Sequence, residues 1–188
     1  MHIRLSRPVP DDLGRLADRV RADSLTYEPV GMTTLATAPS GYRLGRWSCL
    51  LGRGETVFDT AADTIRQWQV QKGAGIVVLA DGPPRAGQVV AMSAPLPIGY
   101  IDLACRVVDV ANTSDRYGFT YGTLSVHPER GEESFTVTRQ SNDEITFEIV
   151  AVSRPRDLLA RAFPPIAHRL QRAATARYLA AMQAAVAR

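Results

Sequence analysis

Apolar residues change their spacing five times along this chain. Between Asp11 and Ala22, Leu13, Leu16, Ala17 and Val20 recur at helical intervals, with Asp11 placed to cap the helix and Pro8 and Pro10 keeping the preceding residues irregular. Thr26 to Ser40 loses that spacing. Pro29, Gly31 and Pro39 interrupt it, yet Leu25, Tyr27, Val30, Met32 and Leu35 make it too apolar for a free linker, so it reads as a segment wrapped over a core. From Tyr42 to Leu51 the period becomes two, which puts Trp47, Cys49 and Leu51 on one face of a strand. Gly52-Arg53-Gly54 turns the chain into a helix over 55–71 with the stripe Phe58, Ala61, Ala62, Ile65 and Trp68; Gly54 is its N-cap, and Gly73 and Gly75 end it.

Beyond Gly75 the pattern predicts strands at 75–80, 87–94, 98–110, 116–126, 133–139 and 144–153. Short turn sequences such as Asp81-Gly82-Pro83-Pro84 and Ser141-Asn142-Asp143 separate them, and short turns join antiparallel neighbours. Arg154-Pro155 stops the last strand, and the remainder to Arg188 reads as a helix broken near its start by Pro164-Pro165. The order predicts an α+β fold: a curved antiparallel β-sheet of about seven strands gripping a long C-terminal helix. Residues 1–40 supply the N-terminal helix and wrapping segment, and 41–188 the sheet-and-helix domain, in a single globular unit.

Parity sorts the side chains. Tyr117, Phe119 and Tyr121 share a strand face, and Phe135 with Val137, then Ile145, Phe147 and Ile149, follow the same logic. On the last helix, Phe163, Ala167, Leu170, Ala174, Tyr178, Ala181 and Ala185 fall on one arc, with Arg177 inside it and Arg161, His168, Arg169 and Arg172 turned away. An aromatic sheet face opposite alanines is either a filled core or the wall of an apolar pocket. Trp47, Tyr117, Phe119, Tyr121, Phe135, Phe147, Arg177 and Tyr178 are its candidate ligand-binding residues. In strand 98–110, Asp102 and Arg106 share a face with Tyr100, as a structural ion pair or as the polar end of that pocket.

The densest ionisable cluster is His127-Pro128-Glu129-Arg130-Gly131-Glu132-Glu133. Imidazole beside carboxylate can exchange protons, which makes His127, with Glu132 and Glu133, the first choice for any catalysis. The structural account is equally concrete: Pro128 stiffens a turn, Gly131 takes an unusual dihedral, and a glutamate accepts backbone N–H bonds. Ser125 precedes His127 by two residues, but no nucleophile elbow accompanies it.

Charge and composition exclude more than they assign. Net charge is +3, and Lys72 is the single lysine. Seven arginines against Asp157 make the end of the chain basic from Arg154 onward, but its two aromatics, Phe163 and Tyr178, belong to the apolar arc and do not form the aromatic platform that nucleic-acid binding would favour. Two cysteines without a CxxC spacing indicate neither a disulfide framework nor a zinc site, and no metal or cofactor is expected. No leader pattern and no long apolar run is seen, which predicts a cytoplasmic protein. Gly52-Arg53-Gly54 between a strand and a helix imitates a dinucleotide-binding turn, but Val57 stands where the third glycine belongs.

Several blocks carry a family resemblance: Leu25-Thr26-Tyr27 with Val30-Gly31; Leu51-Gly52-Arg53-Gly54 with Phe58 and Trp68; Gly118-Phe119-Thr120-Tyr121-Gly122-Thr123-Leu124; His127-Pro128-Glu129-Arg130-Gly131-Glu132-Glu133 with Phe135; and Ser153-Arg154-Pro155. In these the chain resembles the domain-of-unknown-function family nineteen-ninety, within the START-like (SRPBCC) helix-grip superfamily. The resemblance implies an internal cavity for a lipid-like or other small hydrophobic molecule, between the sheet and the C-terminal helix, as the protein's partner. It supplies no reaction. The alternative is a cyclase-, dehydratase- or hydrolase-like enzyme using the same cavity, with His127 as acid or base.

Overall fold

A computed structural model describes residues 2–156 and 164–187. Its elements in chain order are β1 (His2–Arg4), α1 (Pro10–Val20), a single 3-10 turn (Met32–Thr34), β2 (Arg43–Arg53), α2 (Glu55–Arg66), α3 (Gln69–Gly73), β3 (Val77–Leu79), β4 (Val89–Pro95), β5 (Tyr100–Asn112), β6 (Arg116–Thr123), β7 (Glu129–Arg139), β8 (Glu144–Pro155) and α4 (Pro164–Val186). All the strands join one antiparallel sheet in the order β2-β8-β7-β6-β5-β4-β3, with β1 added against β5. The predicted α+β helix-grip architecture is the one observed. The dinucleotide-binding imitation is excluded by topology, because β2 and β3 lie at opposite edges of the sheet.

Strand β1 falls where the proline spacing predicts irregular chain. It pairs with the start of β5 (His2 opposite Asp102, Arg4 opposite Tyr100), while β6 pairs with β5 only from Cys105 onward. A β-bulge between Val107 and Asp109 lets Cys105, Val107 and Val110 all pack into the main core. A second irregularity, between Leu50 and Gly52, sits where β2 leads into α2.

Two details of the helices differ from the pattern. Helix α1 starts at Pro10, an N1 position that needs no donor, and Asp12 rather than Asp11 accepts the Val9 N–H at 3.2 Å. The predicted helix 55–71 is split at Trp68, whose φ of +59° lies in the left-handed region. In that conformation the indole lies 4.7 Å from the Phe119 ring and donates to the Gly82 carbonyl at 3.0 Å.

The outer face of the sheet carries α1 and the wrapping segment. Leu13 and Leu16 pack on Ala91, and Val20 on Ala104 and Leu124. Tyr27 and Met32 are buried over Val152, whereas Val30 and Leu35 are exposed. The inner face carries α2, α3 and α4, with Tyr178 and Met182 as the buried side chains of α4 in the main core. That face is centred on Thr175, Tyr178 and Met182, so Arg177 is exposed rather than enclosed. Arg161 and Phe163 lie outside the described residues, as do the side chains of Ala167, His168, Arg169 and Leu170. Among the described residues no helix is long and apolar enough to cross a membrane.

Candidate functional site

The inner face of the sheet is divided. Over one half, Phe58, Ile65 and Trp68 fill the space above Tyr117 and Phe119. Aromatic rings continue from there without a break: Phe119 lies 5.4 Å from Phe135, and Phe135 meets Tyr178 of α4 edge-on at 5.2 Å. Over the other half the side chains do not meet. A cavity of about 630 Å³ lies between the β4–β5 hairpin, the ends of β6, β7 and β8, and α4, within the size range of small-molecule sites. Met92, Ile101 and Leu103 form its apolar wall, and Ala174 and Tyr178 face them from α4. Exposed lining residues (Ile3, Pro97, Ala173 and Arg177) mark its rim.

Alternation along β7 gives the cavity its polar end. Glu133 is two residues before Phe135, so both point inward. It stands directly opposite Tyr121 on β6 and accepts that phenol's hydrogen bond at 2.8 Å. Burial pushes the Glu133 carboxyl up to about 7; the Tyr121 hydrogen bond opposes this and the charge of Glu129 adds to it. The Tyr178 hydroxyl adjoins that of Tyr121, and burial, reinforced by Glu133, raises both phenols well above their ordinary range. Both therefore stay protonated near neutrality.

Glu132 has the opposite orientation and a different task. Its carboxylate accepts from Tyr27 Oη at 2.8 Å, from the Gly31 amide at 3.0 Å and from the Thr33 amide at 2.7 Å. This clasps the wrapping segment to the sheet. Gly122, opposite Glu132 in the ladder, makes room for the clasp, because a Cβ there would lie 2.3 Å from Tyr27 Oη. Gly131 is needed for a separate reason: its φ is +148°, and a Cβ would meet the Val152 carbonyl oxygen.

His127 lines the cavity in the bend between β6 and β7. Its Nδ1 lies 3.0 Å from the Glu129 amide nitrogen and 3.2 Å from the Glu129 carbonyl oxygen, so the ring is held against the backbone of the turn. Glu129 accepts from Ser153 Oγ, and Ser125 is hydrogen-bonded to Asp23, so Ser125 and His127 do not form a catalytic pair. Among the described residues no group of three His, Cys, Asp or Glu side chains is arranged to hold a metal ion.

The residues singled out from sequence thus separate into three sets. His127, Glu132, Glu133, Tyr121, Arg177 and Tyr178 line the cavity. Trp47, Tyr117, Phe119, Phe135 and Phe147 belong to the main core, where Arg66 also stacks on the Tyr117 ring at 4.2 Å. Tyr100, Asp102 and Arg106 lie on the outer face, which corrects the expectation of a polar pocket end. Asp102 accepts from Arg4 and from Ser93 Oγ, and Arg106 donates to the carbonyls of Arg21 and Asp23 at the end of α1. The apolar wall of Met92, Ile101 and Leu103 is outside the set expected from sequence, although alternation of Ile101, Leu103, Cys105 and Val107 carries its signal. The basic end is partly consumed internally: Arg154 stacks on Tyr42 at 4.6 Å, and Arg156 donates to the Ser125 carbonyl.

Comparison with known proteins places this architecture. A protein of Deinococcus radiodurans described as a UPF0548 protein is 28% identical over 196 residues, covering 93% of each chain. Among solved structures, the hypothetical protein jhp0584 of Helicobacter pylori matches with a TM-score of 0.56 at 9% identity, over 86% of this chain and 95% of its own. The protein TTHA0849 of Thermus thermophilus matches at 0.55 and 10% identity, over 77% of this chain and 97% of its own. A norcoclaurine synthase point mutant from Thalictrum flavum, in complex with a transition state analogue, matches at 0.50 and 10% identity, over 77% and 94%. At such identities the likeness is one of fold. The domain of unknown function DUF1990 matches residues 26–181, and the chain belongs to that family.

Proposed function

We propose that this protein binds a small, predominantly apolar molecule in the cavity between β4, β5 and α4. The observation that carries the reading is the unequal filling of the inner face. Aromatic rings close one half completely, while the other keeps about 630 Å³ of space behind an apolar wall. A ligand burying about 300 Å² of apolar surface there would gain on the order of 7 kcal/mol before the costs of association. A norcoclaurine synthase of the same fold holds a transition state analogue, which supports small-molecule binding at the level of architecture alone.

Titration with the neutral fluorescent probe N-phenylnaphthylamine tests it. Saturable one-to-one binding is expected, and it should disappear in Ala94→Trp and Leu103→Trp, each of which fills the cavity while preserving the circular dichroism. Absence of saturable binding to the wild type, or undiminished binding in both folded variants, would overturn the proposal.

A second reading is acid–base catalysis in the same cavity, and one observation favours it: the Glu133 carboxyl, pushed up to about 7 beside a phenol donor, exchanges protons readily near neutrality. Glu133 is then the proton carrier in place of His127. With decanal in deuterium oxide, this reading requires exchange of the hydrogens next to the carbonyl above the buffer rate, and loss of that excess in Glu133→Gln. Exchange at the buffer rate in the wild type counts against it.

A further inference from the structure

The polar end of the cavity is lined chiefly by groups of one sign. Glu129, Glu132 and Glu133 all border it, whereas Arg177 is exposed at the rim. Two of the three carboxylates are engaged: Glu132 by the wrapping segment, and Glu129 by Ser153 Oγ. Glu133 differs. Tyr121 donates to its Oε2, and among the described residues no arginine, lysine or second hydrogen-bond donor reaches it. The titratable groups that act on it are Tyr121 from β6, Tyr178 from α4, Cys105 from β5 and Glu129 from its own strand, none of them a cation; His127 borders the same cavity from the bend before β7, with its Nδ1 turned to the Glu129 backbone. The part of its side chain that stays accessible belongs to the cavity lining.

A molecule entering this space therefore meets an apolar wall at one end and an unneutralised carboxyl at the other. A carboxylate or phosphate head would face Glu133 with the charge of Glu129 beside it. A neutral head can at best share a proton with Glu133. A protonated amine supplies both the missing hydrogen-bond donor and the missing charge. We propose that the ligand is an amphiphilic amine, with its hydrocarbon part against Met92, Ile101 and Leu103 and its ammonium group on the free oxygen of Glu133. This rests on the reading of the cavity as a small-molecule site and specifies the head group that the site selects.

Calorimetric titration with decylamine, decanol and decanoate at neutral pH separates the two levels. The expected order is amine, alcohol, carboxylate, with the amine at least about tenfold tighter than the alcohol. Glu133→Gln should abolish the advantage of the amine over the alcohol. In the wild type, the advantage of the amine over the alcohol should shrink as pH is lowered and Glu133 takes up its proton, a test that needs no variant. If the alcohol binds but the amine has no advantage, or the advantage survives in Glu133→Gln, the head-group assignment is wrong and the binding cavity stands. If none of the three binds, both are overturned.

Discussion

Glu132 and Glu133 are adjacent in β7, yet their carboxyls engage different parts of the protein. The first accepts three hydrogen bonds from the wrapping segment; the second stands at the polar end of the inner cavity, held by Tyr121. Strand alternation alone produces this division, and it assigns one glutamate to stability and the other to recognition.

Replacing Glu132 with alanine should destabilise the fold by about 3 kcal/mol or more, because it strands a buried phenol and two amides that now share a charged acceptor. Urea denaturation of Glu132→Ala and Glu132→Gln measures this, with Gln expected to fall between Ala and wild type. A loss below about 1 kcal/mol for Ala would show that the clasp is not a significant source of stability.

For Glu133 the sign is reversed. A carboxyl whose folded pKa lies above its ordinary 4.5 binds protons more tightly when folded, so stability falls as pH rises from about 4.5 through about 7. The loss amounts to about 3 kcal/mol once the group is fully ionised. Glu133→Gln should therefore match the wild type at acid pH and exceed it in stability at mildly alkaline pH. Parallel denaturation curves at the two pH values decide the matter; a constant difference would mean that Glu133 does not titrate in this window.

Tyr121→Phe removes the hydrogen bond that favours the ionised carboxylate. Glu133 should then titrate at still higher pH, visible in the carboxyl carbon resonance of a glutamate-labelled sample. A downward shift or none would contradict the pairing.

Asp102 joins β1 to the sheet through Arg4 at 2.8 Å and also accepts from Ser93 at 2.7 Å. Asp102→Ala leaves the Arg4 charge without this partner in a half-buried setting, and a loss of about 2–4 kcal/mol is expected. Hydrogen exchange should quicken at the amides of β1 before any other strand. Uniform exchange across the sheet would argue against a local anchor.

Gly131→Ala places a methyl group against the Val152 carbonyl at a φ of +148°. The methyl group can be accommodated only if β7 and β8 separate locally, at a cost of about 2 kcal/mol or more. A melting temperature equal to that of the wild type would refute this.

Much of this organisation is legible in the chain. Period-two spacing identifies the inward residues of β6, β7 and β8 because each of those strands places large apolar groups inward. The same test misleads in β5. There both faces are covered, so Ala104 on the outer side is as buried as Cys105 on the inner side, and Asp102 with Arg106 looks like a pocket end. Strand β1 is too short to show a period, and nothing around Trp68 announces its left-handed backbone. The difference between Glu132 and Glu133 follows from counting back from Phe135. That one half of the inner face stays unfilled depends on summed side-chain volumes across six elements, which no local pattern encodes.

The bulge in β5 has a consequence for how the chain tolerates change. Deleting Val108 would bring Val110 two positions after Val107, with Leu103, Cys105, Val107 and Val110 still directed inward. What the extra residue sets is bend rather than facing. The depth of the concave side, and with it the room beside Leu103, can therefore vary among relatives through one-residue insertions and deletions that leave the pattern of alternation intact.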